Sequence, residues 1–158
     1  RGVGIDVAYP EEFEVGYPLA RAFRPEELDC ARDLCHGDMA RGAALMWAAK
    51  DNGSDINWED AKNYCKNYRG GKYKDWRMPT QDELAGLYDA NKSRPVPHIQ
   101  NLNINVATEL IDFTCFSIWA SEARGSEAAF FRFYVGDGDW VLQSYGSSLR
   151  ALPVRSGK

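Results

Sequence analysis

Residues 75–84 read DWRMPTQDEL. Thr80 and Glu83 stand three apart just ahead of an apolar residue, the spacing of a capping box. In that arrangement the Thr80 hydroxyl accepts from the Glu83 N–H, and the Glu83 carboxylate accepts from the Thr80 N–H. Pro79 restrains the entry and removes one donor. Gln81, Asp82 and Glu83 place acceptors and negative charge at the positive helix end. The spacing predicts a helix running to about Tyr88 or Asp89, with Leu84, Leu87 and Tyr88 inward. Trp76 and Arg77 fall outside this start signal and need a reason of their own.

Upstream, AALMWAAK at 43–50 is an apolar strand and DNGSD at 51–55 a turn. Asn57 is a helix cap, with Glu59 and Asp60 in the first turn. Trp58, Ala61, Cys65 and Tyr68 share one apolar face, and Gly70-Gly71 stops the helix. Downstream, residues 91–112 read as a long irregular stretch, and such loops are often functional. The last third is β. It has a strand at 116–122, a hairpin of 128–136 and 139–146 around Asp137-Gly138, and a final strand at 150–156 with Pro153 near an edge. Strand, helix, helix, loop and strands make an α+β layout.

Residues 1–41 differ in composition, with three prolines and dense charge. Pro25-Glu26-Glu27 reads as the first turn of a helix with Leu28, Ala31, Leu34 and Cys35 on one side, ended by His36 and Gly37. This part is expected to be an N-terminal extension that packs on the domain at 42–158 or mediates self-association.

The 158 residues suffice for one domain with a core. A formal net charge of −4 argues against a nucleic-acid partner. No apolar run is long enough to span a bilayer, so no membrane insertion is expected. The chain begins at Arg1, as a processed product or a trimmed chain would. Cys30, Cys35, Cys65 and Cys115 include no C-x-x-C, and His36 and His98 are the only histidines. A structural zinc site is therefore not expected. Disulfides Cys30–Cys35 and Cys65–Cys115 would suit an exported protein, and free buried thiols are the alternative. Acidic residues in SDINWED and VGDGDW fit turns and caps better than calcium ligation. With so few histidines no Ser-His-Asp arrangement is compelling. No cofactor, metal site or catalytic residue is expected.

Trp47, INWEDAKNYC at 56–65, GGKYKDWRMPTQDELAGLYD at 70–89, SIWASE at 117–122, FRFYVGDGDW at 131–140 and RALPVRSGK at 150–158 occur in order. Together they resemble the DUF1566 family, the C-terminal domain of Legionella collagen-like proteins. Met78 stands where Leu is common and Ala120 where Thr is. The ending lacks the Cys often found there, so no C-terminal disulfide is carried over. The resemblance implies a C-type lectin-like fold of the formylglycine-generating-enzyme branch, two helices packed on a twisted antiparallel sheet with the N- and C-terminal strands paired. It also makes Trp76 and Arg77 structural, anchoring the helix start to the sheet. The related enzymes use paired reactive cysteines with copper or a His/His/Glu iron site, and neither pattern occurs here. The Glu-Pro-Asn, Gln-Pro-Asp and Trp-Asn-Asp signatures of sugar-binding C-type lectins are also missing.

Some members of the family are variable proteins of diversity-generating retroelements, in which adenine-directed mutagenesis rewrites C-terminal codons. Randomised AAY codons cannot yield Trp, Gln, Glu, Lys or Met, and between Phe130 and Leu149 only Trp140 and Gln143 are outside the reachable set. A plain hairpin is the alternative reading of the segment. Strand alternation puts Phe131 and Phe133 on one side and Phe130, Arg132 and Tyr134 on the other. Trp140 suits a framework role. The expected recognition set is Arg132, Tyr134, Asp137, Asp139, Val141, Tyr145, Ser147 and Leu149, since Tyr, Ser and Asp offer rigid contact area and adaptable hydrogen bonding. The expected function is non-catalytic binding of a protein or glycan ligand at the cell surface. The alternative is a structural subunit of a surface assembly.

Overall fold

The computed structural model describes residues 6–8 and 45–157. The predicted helix at 25–36, Cys30, Cys35 and most of the expected extension lie outside the described residues. In order, the elements are β1 (Asp6–Ala8), β2 (Leu45–Ala48), α1 (Trp58–Asn67), a 3-10 turn (Gly70–Lys72), α2 (Gln81–Ala85), β3 (Tyr88–Pro95), β4 (Asn103–Val106), β5 (Ser117–Arg124), β6 (Glu127–Arg132), β7 (Asp137–Leu142) and β8 (Val154–Ser156). The architecture is α+β, as expected. The sheet is divided into three: β1-β2-β8, β3-β4 and β5-β6-β7. All pairings between strands are antiparallel except β1 with β2, which run parallel. Pairing of β2 with β8 ties the start of the domain to its end, Trp47 facing Val154 in register.

Both helices begin where their caps dictate. The Asn57 side chain accepts from the Asp60 N–H at 2.9 Å. At Thr80 both halves of the capping box form, Glu83 N–H to Thr80 Oγ1 at 3.1 Å and Thr80 N–H to Glu83 Oε2 at 2.9 Å. The second helix is nevertheless shorter than its pattern predicts, ending at Ala85 with Gly86 as its C-cap. The Ala107 N–H donates to the Leu87 carbonyl at 2.8 Å, and Tyr88 already pairs with Val106 in β3. Sheet pairing thus captures residues that the 3.6-residue spacing assigned to the helix. The stretch at 91–112 is also corrected: Ser93, Arg94 and Pro95 pair with Asn105, Ile104 and Asn103.

Trp76 and Arg77 hold the junction. Trp76 is buried, its Nε1 donates to the Gly70 carbonyl at 3.0 Å, and Tyr68 meets it edge-on with centroids 4.9 Å apart. Arg77 and Val154 exchange backbone hydrogen bonds of 2.8 and 2.9 Å. The Arg77 guanidinium grips the Glu83 carboxylate.

The core has two parts, one on each face of β5-β6-β7. Ile118, Ala129, Phe131 and Phe133 join Trp47, Trp76, Leu84 and Phe113 in the larger part. Trp119 and Ala128 join Trp58, Ala61, Cys65, Met78, Leu149 and Ala151 in the smaller. Two indole bonds fasten α1 to β5, Trp58 Nε1 to Ala120 O and Trp119 Nε1 to Ile56 O, both 2.8 Å. Cys65 and Cys115 are buried free thiols, the second of the two states weighed for them.

Candidate functional site

The β6-β7 hairpin forms because strand alternation satisfies both core parts at once. Ala129 and Phe131 face the larger part, Ala128 the smaller, with Phe130 and Val141 partly buried against it. Register pairs Ala128 with Val141, Phe130 with Asp139 and Arg132 with Asp137, so these six share one face. The turn is not at Asp137-Gly138, as the sequence suggests, but at Phe133–Gly136. Arg132 already pairs with Asp137, and the Gly136 N–H donates to the Arg132 carbonyl at 2.8 Å. Gly136 takes φ +82°, with the Tyr88 ring where a Cβ would stand.

The structure brings Arg132, Asp137 and Asp139 together. Arg132 Nε and Nη2 donate to the two Asp137 oxygens at 2.8 and 2.9 Å, and Nη2 lies 3.2 Å from Asp139 Oδ2. These bonds, led by the one to Asp137, hold the guanidinium pKa above its usual value. The Phe130 ring lies beneath, 5.8 Å from the guanidinium carbon. The group therefore presents a fixed donor fork and two carboxylates on an aromatic base. Tyr134 projects from the turn, its ring edge-on to Phe116 at 5.3 Å.

Beyond β7, Tyr145 and Ser147 are exposed as expected, whereas Val141, within β7 and also placed in the exposed set, is partly buried against the smaller core part. Leu149 is a correction. It was placed in the exposed set, but it is 2% exposed and sits in the smaller core part. Its carbonyl accepts from the Ile56 N–H at 3.3 Å, and the Arg150 N–H donates to the Ser117 carbonyl at 3.1 Å. These bonds turn the chain back under β5 before residue 149. Alternation counted along one strand cannot foresee that return.

The loop carrying Tyr145 and Ser147 is braced from below. Asp55 accepts from the Ser148 N–H at 3.2 Å and pairs with Arg150. Arg150 Nε reaches Thr114 Oγ1 at 3.2 Å, and Thr114 gives both its N–H and its hydroxyl to Asp51 at 2.7 Å. Asp51 is buried, and desolvation raises its pKa against the pull of those bonds.

Sequence reasoning missed Val135 and Leu142. With Tyr134 and Tyr145 they are the exposed large hydrophobics among the described residues. Their signal was visible as apolar residues in a turn and at the end of an edge strand. They form two groups, one at the hairpin tip and one at its open end.

Burial pushes the Cys65 thiol up to about 12, which leaves little thiolate near neutrality. Among the described residues no three His, Cys, Asp or Glu side chains converge as a metal site, and no helix is long and apolar enough to cross a membrane.

Fold and surface define a small α+β domain that fixes a hairpin against its helices and leaves apolar side chains exposed at both ends of it. The family model of the Lcl C-terminal domain matches residues 40–155, and the chain belongs to that family. No curated protein matches the chain.

Proposed function

We propose that this chain is a non-catalytic recognition domain of the cell surface that binds a protein or glycan ligand through its β6-β7 hairpin and the loop after it. The observation that carries the reading is the confinement of Tyr134, Val135, Leu142 and Tyr145, the exposed large hydrophobics among the described residues, to one twelve-residue segment. Exposed aromatic and aliphatic side chains at both ends of the hairpin, with a fixed Arg and two Asp on its strands, give a contact surface with apolar area and oriented polar groups. Pairing of β2 with β8 supports a C-type lectin-like reading of the fold.

A diversified surface is part of the same proposal. Trp140 and Gln143, the two residues of 130–149 outside the reach of adenine-directed mutagenesis, both make framework contacts. Arg124 lies 4.3 Å over the Trp140 ring, which packs against the larger core. Gln143 Nε2 donates to the Gly125 and Glu127 carbonyls at 3.1 and 3.2 Å. Around them the exposed positions are free to vary.

The test compares the protein with a Tyr134→Ser, Val135→Ser, Leu142→Ser, Tyr145→Ser variant on a glycan array and a panel of cell-surface ectodomains. Loss of every wild-type signal, with an unchanged melting temperature, is the expected result. Undiminished binding would refute the hairpin as the contact surface. For diversification, the test is a genomic near-copy of the codons for 116–155 that differs only at adenines, beside a reverse transcriptase.

The second reading, a structural subunit of a surface assembly, draws on β1. Residues 6–8 lie outside the family match, yet they add a parallel strand to β2. A chain starting at residue 42 would then sediment as an oligomer of fewer copies than the whole chain. An equal number of copies in both would remove this reading.

A further inference from the structure

Five cations, Lys62, Lys66, Arg69, Lys72 and Lys74, fall within residues 62–74, and no Asp or Glu lies among them. The chain as a whole carries −4, so this run concentrates a local +5 against the sign of the molecule. All five side chains are exposed. Lys62 and Lys66 stand one helical turn apart on α1, flanking the buried Trp58, Ala61 and Cys65, and Arg69 follows just past the C-cap Tyr68. Lys72 and Lys74 continue the ridge past the turn, where Trp76 is anchored to Gly70.

Glu83 is engaged by Arg77 and Asp75 by Arg155, and the exposed Glu59 and Asp60 lie in the first turn of α1, ahead of Lys62. Among the described residues none of the five cations makes an ion pair. Lys62 Nζ lies 5.0 Å over the Trp58 ring, a contact that leaves its charge in place. Partly buried Tyr64, Tyr68 and Tyr73 alternate with the cations along the chain.

We propose that this ridge is a docking surface for a bilayer rich in anionic phospholipid, separate from the hairpin surface. Charge complementarity carries the choice of partner. Four of the five groups are Lys, compact charges on flexible stems that follow a diffuse plane of negative charge rather than matching one anion geometry. They are exposed along one flank of a helix and the turn after it. Clustered Lys and Arg are what anionic headgroups attract, and the attraction decays within a Debye length.

The experiment is co-sedimentation of the whole chain with phosphatidylcholine vesicles, with and without about one-third phosphatidylglycerol. Binding to the anionic vesicles only is expected, with loss at about 0.5 M salt. A Lys62→Gln, Lys66→Gln, Lys72→Gln, Lys74→Gln variant, which keeps Arg69 and its helix-end bonds, should bind at least about tenfold less while melting at the same temperature. The hairpin serine variant should bind the vesicles as the unaltered chain does, which separates this surface from the ligand surface. Binding to neutral vesicles alike, or full binding by the four-Gln variant, would overturn the proposal. So would capture by a soluble sulfated polysaccharide column with no vesicle binding, which would assign the ridge to a linear polyanion.

Discussion

Arg77 and Glu83 are bound through both oxygens of the carboxylate, Nη2 to Oε1 at 2.6 Å and Nη1 to Oε2 at 2.8 Å. Oε2 also takes the Thr80 N–H at 2.9 Å. One carboxylate thus closes the helix cap and holds the arginine whose backbone pairs with β8. The bonds to Glu83 raise the Arg77 pKa above its usual value.

Removing the cap and removing the carboxylate should therefore differ. Thr80→Ala is expected to cost about 1 kcal/mol, as lost N-caps do. Glu83→Ala should cost roughly 2 kcal/mol, one part from the cap and one from the arginine pair. The pair's share stays small because the Arg77 side chain is 42% exposed. Urea titrations of both variants check this, and equal midpoints would show that the guanidinium adds nothing.

Trp76 is the larger anchor. Trp76→Ala should lose about 3–5 kcal/mol, since it empties a buried indole site and removes the indole bond to the Gly70 carbonyl, which keeps the Tyr73 N–H at 3.3 Å. Trp76→Phe keeps most of the packing and should cost less. A Trp76→Ala midpoint equal to the unaltered protein's would contradict the buried position.

Cys65 links stability to alkaline pH. Its folded pKa of about 12 lies above the ordinary thiol value of 9.0 because burial disfavours the thiolate. The folded state therefore keeps a proton that the unfolded state gives up. The contribution is complete below pH 9 and is lost as pH rises toward 12. Cys65→Ala should flatten the decline of stability between those values. At pH 8, peptide mapping after iodoacetamide treatment should find Cys65 unmodified in the native protein and modified in urea.

Gly136, read from the sequence as a strand end, and Gly138, read as the turn, should respond differently. Gly136→Ala meets both a positive φ and the rigid Tyr88 ring at 2.4 Å, and is expected to cost at least about 1 kcal/mol. Gly138 is in strand β7, and what its Cβ would strike is the Gln81 amide at 2.5 Å. That flexible group can swing away, so Gly138→Ala should cost less, through the bonds of Gln81 Nε2 to the Phe130 and Asp139 carbonyls. Thermal melts of the two variants in parallel decide the order.

Caps and alternation were legible because they are local. Asn57, Thr80 and Glu83 mark the helix starts, and Phe131 and Phe133 face the core as period-2 counting requires. Decisions made by distant partners were not legible. Asp137-Gly138 has the composition of a tight hairpin turn. The aspartate is there to hold Arg132, and the glycine makes room for Gln81, 57 residues earlier in the chain. Strand β3 was hidden because it reads YDANKSRP, mostly polar and mostly exposed, so no alternation shows. The basic ridge needed only a count of charges between Lys62 and Lys74, but its freedom from ion pairs needed the structure.

The sharpest division within the expected recognition set is between Tyr145 and Leu149, four residues apart and opposite in burial. Tyr145 is 49% exposed and Leu149 2%. Leu149→Ala should destabilise by about 2–5 kcal/mol, because it opens a cavity among Trp58, Met78 and Trp119. Tyr145→Ala should stay within about 0.5 kcal/mol, as exposed substitutions do. Arg132→Ala falls between them, since the ion pairs it loses are with exposed carboxylates and such pairs are worth about 0–1 kcal/mol. If Tyr145→Ala abolishes ligand binding at unchanged stability, the residue is a contact. If Leu149→Ala weakens binding only in proportion to the fraction unfolded, its part is to hold the loop beneath Ser147. A stable Leu149→Ala protein would place the side chain outside the core and return it to the recognition set.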